Sequence, residues 1–240
     1  MVTAQAIPML SDNYAWLLRE SESGAVAMVD PAETGPAIAA IEAAGGRLDM
    51  ILLTHHHGDH IDGVAGLVAK YAPLVVGNAA DAARLPPLGL AVKPGDKVKF
   101  GGAEADVFDS PGHTIGHIAY YFADGGILLP GDTLFSLGCG RLFEGTAADM
   151  FGAFEKFAPL PDETLVCAGH EYTASNAKFA LHVDPDNAAL QARAGEITHL
   201  RAAGKPTLPV SLSVERATNP FVRAKTAEEF GRLRSAKDNF

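Results

Sequence analysis

Residues 54–60 read Thr-His-His-His-Gly-Asp-His and follow the apolar run at 50–53. Four imidazoles and a carboxylate within six residues offer neutral nitrogen donors beside an anionic oxygen. That donor mix suits Zn, Fe or Mn rather than Ca or Mg. In an extended stretch His55 and His57 project to one side and His56 to the other. Gly58 then turns the chain, so that Asp59 and His60 can face a neighbouring point. Three more segments share this form, each placing a ligand-capable side chain just beyond an apolar run. They are 110–117 with His113 and His117, 130–133 with Asp132, and 168–171 with His170. A lone loop histidine is usually satisfied locally, but four such segments gathered at one sheet edge make a metal site.

The elements that must do the gathering are short. Strand-like apolar runs lie at 25–29, 50–53, 74–76, 105–108, 118–122, 127–129 and 165–168, separated by Pro/Gly punctuation. Helical patterns lie at 35–44, closed by Gly45-Gly46, and at 146–157, where Thr146 and Asp149 have capping-box spacing. After Ala174 the texture is helical: 175–182, then 185–203 with Pro185 near its start, a loop holding Pro206, Pro209 and Pro220, and a last helix from Thr226. Thr226 and Glu229 are spaced as a second capping box. The expectation is an α/β domain over residues 1–170 and a helical domain over 171–240.

Composition narrows the function classes. The chain of 240 residues carries 19 Lys+Arg against 29 Asp+Glu, a net charge of −10, which argues against nucleic-acid or acidic-membrane binding. No apolar run is long enough to span a bilayer. The first residues lack the features of a secretory signal, and Cys139 and Cys167 alone suit a reducing compartment, so a cytoplasmic protein is expected. Charge is uneven: residues 1–200 hold 11 cations and 25 anions, whereas 201–240 hold 8 and 4. A basic tail on an acidic body can supply cations to an anionic ligand. Arg234 and Lys237, three apart, share one face of a helix and can grip a carboxylate together.

Residues 55–60 match the His-x-His-x-Asp-His motif, and on it the chain resembles the metallo-β-lactamase superfamily. The resemblance implies a four-layer αβ/βα sandwich that binds two divalent metal ions, Zn first with Fe or Mn as alternatives. It implies that His55, His57 and His113 hold one ion, that Asp59, His60 and His170 hold the other, and that Asp132 bridges both. Such a fold hosts many hydrolases and some redox enzymes, so it does not name a substrate. Closer matches are Leu-Ser-Asp-Asn-Tyr at 10–14, Gly-Asp-Thr-Leu-Phe at 131–135 and Gly-Cys-Gly-Arg-Leu-Phe-Glu-Gly-Thr at 138–146. Gly-His-Glu-Tyr-Thr at 169–173, Asn-Pro-Phe at 219–221 and the segment 234–240 complete them.

These segments are similar to the glyoxalase II (hydroxyacylglutathione hydrolase) family. That resemblance implies hydrolysis of S-D-lactoylglutathione and other S-2-hydroxyacylglutathiones, the second step of methylglyoxal detoxification. It implies a metal-bridging hydroxide as nucleophile, with Asp59 and Asp132 as the catalytic carboxylates. Glutathione contacts would fall on Arg141, Phe143, Tyr172, Arg234 and Lys237. Some family members have Lys and Tyr where this chain has Arg141 and Phe143, so a charge is kept in a different shape and a hydroxyl is lost. The thiolate leaving group has an ordinary pKa near ~8.5 and needs no strong general acid. Cys139 then has no catalytic task and is expected to be structural, while His117 either orients a ligand or is structural.

Other readings lead elsewhere. A β-lactam hydrolase would not need the long tail. A phosphodiesterase or nuclease would need a basic groove. A mononuclear-iron persulfide dioxygenase uses the same scaffold but one metal, so the second ligand set separates the two. A non-catalytic glutathione- or metal-binding scaffold is distinguished by turnover. A monomer is expected.

Overall fold

In the computed structural model, which describes residues 1–240, strands β1 (Val2–Met9) and β2 (Asn13–Glu20) form an antiparallel hairpin. Along β2, Tyr14, Trp16 and Leu18 enter one apolar cluster while Ala15 and Leu17 enter another. A period of two with both faces apolar marks a strand inside a layered sandwich. Neither strand stands out in the sequence: β1 interleaves Val2, Thr3 and Ile7 with Ala, Gln and Pro, and β2 has no β-branched residue.

Strands β3 (Val26–Val29), β4 (Met50–Leu52), β5 (Leu74–Asn78) and β6 (Leu90–Val92) add to β2 in that order, the last four running parallel. Parallel strands need crossovers. Helices α1 (Thr34–Ala43), the one-turn α2 (Gly58–Ile61) and α3 (Val64–Tyr71) lie in the connections, and Ile41, Val64 and Leu67 pack on Met28 and Ile51. The second sheet holds β7 (Lys97–Phe100), β8 (Ala103–Asp109), β9 (Ile118–Phe122) and β10 (Ile127–Gly131). A small hairpin, β11 (Leu134–Phe135) and β12 (Gly138–Cys139), intervenes before β13 (Leu165–Ala168) and β14 (Val210–Ser211) finish that sheet. Trp16, Phe100, Tyr120 and Phe122 fill the space between the sheets. The Trp16 indole donates to the Ala168 carbonyl (3.0 Å) and the Tyr120 hydroxyl to that of Leu53 (3.0 Å), so the strand ends of the two sheets are tied to each other.

Helices α4 (Ala147–Phe157), α5 (Thr173–Val183), α6 (Ala188–Ala202), α7 (Leu212–Thr218), α8 (Pro220–Arg223) and α9 (Ala227–Asp238) form the last layer and the tail. The Thr146–Asp149 capping box on α4 is complete. On α9 only half of the expected box forms: Thr226 accepts from the Glu229 amide, but the Glu229 carboxylate takes the Lys225 amide instead. Helix α6 starts at Ala188 rather than at Pro185, because the Asn187 side chain caps the Leu190 amide. The rings of Phe154 and Phe221 meet Phe230 of α9 at 5.1 and 5.2 Å. Fully buried Glu215 of α7 accepts from Ser136 Oγ, the Leu137 amide and Asn219 Nδ2 at 2.7–2.9 Å, fastening the β11–β12 hairpin to the tail.

Candidate metal centre and adjoining cavity

The side chains flagged in the sequence arrive from the C-terminal ends of strands. His55, His57, Asp59 and His60 follow β4, His113 follows β8, Asp132 follows β10 and His170 follows β13. The turn into Asp132 requires glycine. Gly131 has φ +49°, and a Cβ there would lie 2.4 Å from Thr54 Oγ1.

Two groups of inward-facing atoms result. His57 Nδ1 lies 3.2 Å from His55 Nε2 and 3.0 Å from His113 Nε2. His170 Nε2 lies 3.3 Å from His60 Nε2 and 3.4 Å from Asp59 Oδ2. Asp132 sits between them, with Oδ2 3.4 Å from His113 and 3.2 Å from His170, and Oδ1 3.4 Å from His60. His56 points away, to Asp81 Oδ2 at 3.0 Å.

Whether this arrangement fits metal ions is decided by the far side of each ring. His60 Nδ1 donates to Asp30 (3.1 Å), His170 Nδ1 to Asp12 (2.9 Å) and His113 Nδ1 to the Arg141 carbonyl (2.9 Å). His55 Nδ1 meets Thr54 Oγ1 (3.0 Å), whose own proton goes to Asp30 (2.6 Å). With these nitrogens spent as donors, each neutral ring turns a lone pair inward. At His60 and His170, whose outer nitrogens both face carboxylates, the inward Nε2 atoms lie 3.3 Å apart and can share only a proton or a metal cation. That spacing is close to the ligand–ligand edge of about 3.3 Å around a tetrahedral zinc ion. Buried Asp132 Oδ1 has no hydrogen-bond partner. The residues fit two metal ions.

Electrostatics agree. Burial opposes charge on His170, yet Asp132 and Asp59 outweigh it and hold its pKa at about 10. His60, fully buried, is also raised, by Asp132 and Asp30 against the desolvation cost. Burial lowers His55, His57 and His113. The half lined by Asp30, Asp59 and Asp132 therefore favours positive charge. His117 is no ligand: its Nε2 accepts from the Asp132 amide (3.1 Å) and its Nδ1 meets Ser110 Oγ (2.7 Å), so it holds the main chain of Asp132.

A cavity of about 560 Å³ opens from His113 and Asp132 to the last helix. Tyr172 stacks on His170 with centroids 4.6 Å apart and planes at 7°. Phe143, 61% exposed, sets its ring edge-on to His113 at 5.2 Å. Opposite, Lys237 donates to Asn176 Oδ1 and lies above the Phe179 ring. Arg234 is buried, bonded to the Cys139 carbonyl and Asp238 (both 2.9 Å), with its Nε unpartnered. Arg141 is exposed at the rim. Cys139 is buried and free, and burial pushes its thiol up to about 11, which leaves it protonated and inert.

Two family models match end to end. The metallo-beta-lactamase superfamily model covers residues 10–170, and the model described as hydroxyacylglutathione hydrolase C-terminus covers residues 171–240. A hydroxyacylglutathione hydrolase of Acidiphilium cryptum is 58% identical over 238 residues, spanning 99% of this chain and 97% of that one. One from Ruegeria pomeroyi is 50% identical, spanning 98% and 97%. The chain belongs to the hydroxyacylglutathione hydrolase family.

Among solved structures, ETHE1 from Myxococcus xanthus superposes with a TM-score of 0.74 over 98% of this chain and 90% of its own, at 24% identity. That likeness shows the metallo-β-lactamase fold. TTHA1623 in a di-iron-bound form is 29% identical with a TM-score of 0.59, over 70% of this chain and 91% of its own. For a hydroxyacylglutathione hydrolase family member, the sequence motifs locate all the inward-facing atoms but none of their outer partners. Asp30 could have been found: it follows the 25–29 apolar run as the other candidates follow theirs. Thr54 and Asp12 lie inside the quoted motifs without a role being legible there, Thr54 meeting its neighbour His55 and Asp12 reaching His170 through tertiary packing, as Asn176 reaches Lys237.

Proposed function

We propose that the chain hydrolyses S-D-lactoylglutathione and related S-2-hydroxyacylglutathiones to the hydroxy acid and glutathione. The observation that carries this reading is one cavity joining two different ends: a buried His/Asp cluster suited to metal ions and a wall offering Arg141, Lys237 and Arg234. Glutathione bears two carboxylates and one ammonium, so its thioester is a net anion that matches such a wall.

His55, His57 and His113 would hold one ion, Asp59, His60 and His170 the second, and Asp132 both. Bound there, the ions supply Lewis acidity toward the thioester carbonyl and an ionised water at neutral pH. The chain's own work is placement. Asn13 Nδ2 donates to Asp59 Oδ2 (2.9 Å), which fixes that carboxylate at the mouth of the cluster. His117 fixes Asp132, and Tyr172 and Phe143 cover the outer faces of the ligand rings, narrowing the approach for water. Lys237 and Arg141 orient the tripeptide by its carboxylates, which leaves the thioester end toward Asp132. The departing thiolate is stable enough to leave without a protein proton donor.

Zinc suits the donor set best, with iron or manganese as substitutes. Residues 1–170 act in this reading as the metal-binding catalytic domain and 171–240 as the glutathione-binding domain. We place the protein in the cytoplasm as a monomer. Both cysteines are free and buried, which suits a reducing compartment, and no helix is long and apolar enough to cross a membrane.

The test is hydrolysis of S-D-lactoylglutathione by purified protein with metal counted on the same sample. Turnover with two ions per chain is the expected result. Two ions without turnover would overturn the substrate. One iron with oxygen consumption on glutathione persulfide would replace the reaction by a dioxygenase.

A further inference from the structure

His56 takes no part in the cluster, and its surroundings point to a function for the residues around it. The loop between Gly140 and Gly145 carries Arg141 and Phe143, yet the amides of Arg141, Leu142, Phe143 and Glu144 donate to no backbone carbonyl. The side chain of Glu144 holds this stretch in place. Its Oε2 accepts the Ile115 amide (2.8 Å), in the loop that bears His113. Arg84 grips both Glu144 oxygens, Nη1 on Oε1 and Nη2 on Oε2 at 3.2 Å.

Arg84 is itself anchored. Its Nε binds Asp81, a buried carboxylate that also takes His56 Nδ1 (3.0 Å). Asp81 is wedged against Gly116, where a Cβ would come within 2.5 Å of its Cγ, so only glycine admits this approach. Segments 56, 81–84, 113–116 and 141–145 thus meet at one charged knot beside the cavity mouth.

We propose that Arg84 is a positioning residue for thioester binding, acting through Glu144 to set the loop that carries Arg141 and Phe143 over the metal-ligating histidines. The proposal rests on the reaction assigned above. A bidentate grip fixes both the distance and the plane of the Glu144 carboxylate, which a single point charge does not. The surface Arg84–Glu144 pair adds little to global stability, so its loss should fall mainly on substrate affinity, while loss of Arg84 also strips buried Asp81 of a partner at some cost in stability.

The test compares Arg84→Ala, Arg84→Lys, Glu144→Ala and the double variant Arg84→Ala/Glu144→Ala as metal-loaded full chains. KM and kcat for S-D-lactoylglutathione, the unfolding midpoint and amide hydrogen exchange at Ile115 and Gly145, whose amides donate to Glu144 Oε2 and to the Gly112 carbonyl, are measured. For Arg84→Ala we expect KM to rise about five- to tenfold with kcat within about twofold. Exchange at Ile115 and Gly145 speeds up, the midpoint falls only modestly, and Arg84→Lys restores KM only in part. The double variant matches Glu144→Ala alone, because the two residues act as one unit. Unchanged KM and unchanged exchange in Arg84→Ala would overturn the proposal, as would a fall in kcat accompanied by metal loss. A parent protein that does not turn over this thioester would sink the assigned reaction, while the exchange measurement would still decide whether Arg84 sets the loop.

Discussion

The two ends of the cavity are built on different principles. At the metal end the histidines stand at strand termini, and His60, His170, His55 and His113 are each locked by a partner behind the ring: Asp30, Asp12, Thr54 and a main-chain carbonyl. At the end proposed to take the tripeptide, the candidate contacts come from an irregular loop and the last helix. Arg141 and Phe143 are exposed, and Lys237 is held by one amide side chain. Rigid placement serves chemistry that tolerates little displacement. Looser groups serve recognition, where a change of residue alters affinity without dismantling the catalyst. The Arg141 and Phe143 departures from other family members fall at the looser end.

Substitutions at the two ends should therefore fail in different ways. The largest effect is expected for Asp132→Ala, which removes the carboxylate shared by both ligand groups. Metal content falls together with turnover, the latter by about 10³-fold or more, since several kcal/mol are at stake and each 1.36 kcal/mol is tenfold. Loss of turnover with both metals retained would contradict the shared role. Asp30→Asn keeps shape but removes the charge behind His60. Metal titration should show affinity at the His60–His170 group weakened about 10- to 100-fold, with KM of the fully loaded protein unaltered. A raised KM there would blur the distinction between the two ends.

Smaller effects belong to the recognition end. Burial, with Arg234 nearby, lowers the Lys237 pKa from the ordinary lysine value to about 8. The amine is charged below that pH and neutral above it, so its hold on a carboxylate is lost as pH rises through about 8. KM should climb over that range in the parent protein and stay flatter in Lys237→Arg, because arginine keeps its charge. A parent KM that does not change between pH 7 and 9 would remove Lys237 from substrate binding. Phe143→Tyr is expected to give the smallest change. A new hydrogen bond of about 1 kcal/mol would lower KM about fivefold and leave kcat alone.

Legibility in the sequence follows the same division. The metal-ligand candidates were readable because each is adjacent to an apolar strand run, so local pattern and site coincide. The outer partners were not, although Asp30 obeys the same rule and was passed over because it stands alone after its run. Strand β1 is obscured because its Val2, Thr3 and Ile7 are broken up by Ala, Gln and Pro, β2 because it has no β-branched residue, and α6 starts later than its proline suggests because an asparagine cap outweighs it. Arg234 was readable as a cation on a helix, but not as one whose guanidinium is already bonded to the Cys139 carbonyl and to Asp238. Glu215 and Asn176 join the hairpin to the tail across long stretches of chain, which no local pattern records.

The supply of ligands from successive strand ends sets an order of assembly during synthesis. A chain extended as far as β9 already contains His55, His57 and His113, whereas His60 and Asp59 wait for His170, which arrives only with β13. Domains fold as units behind the advancing ribosome, and metal affinity appears only when a site is preformed. The group of Asp59, His60 and His170 is thus complete only once β13 has joined β10 in the second sheet. A chain that stops short of β13 therefore lacks one full group of candidate ligands, and the site is finished only when the sandwich is.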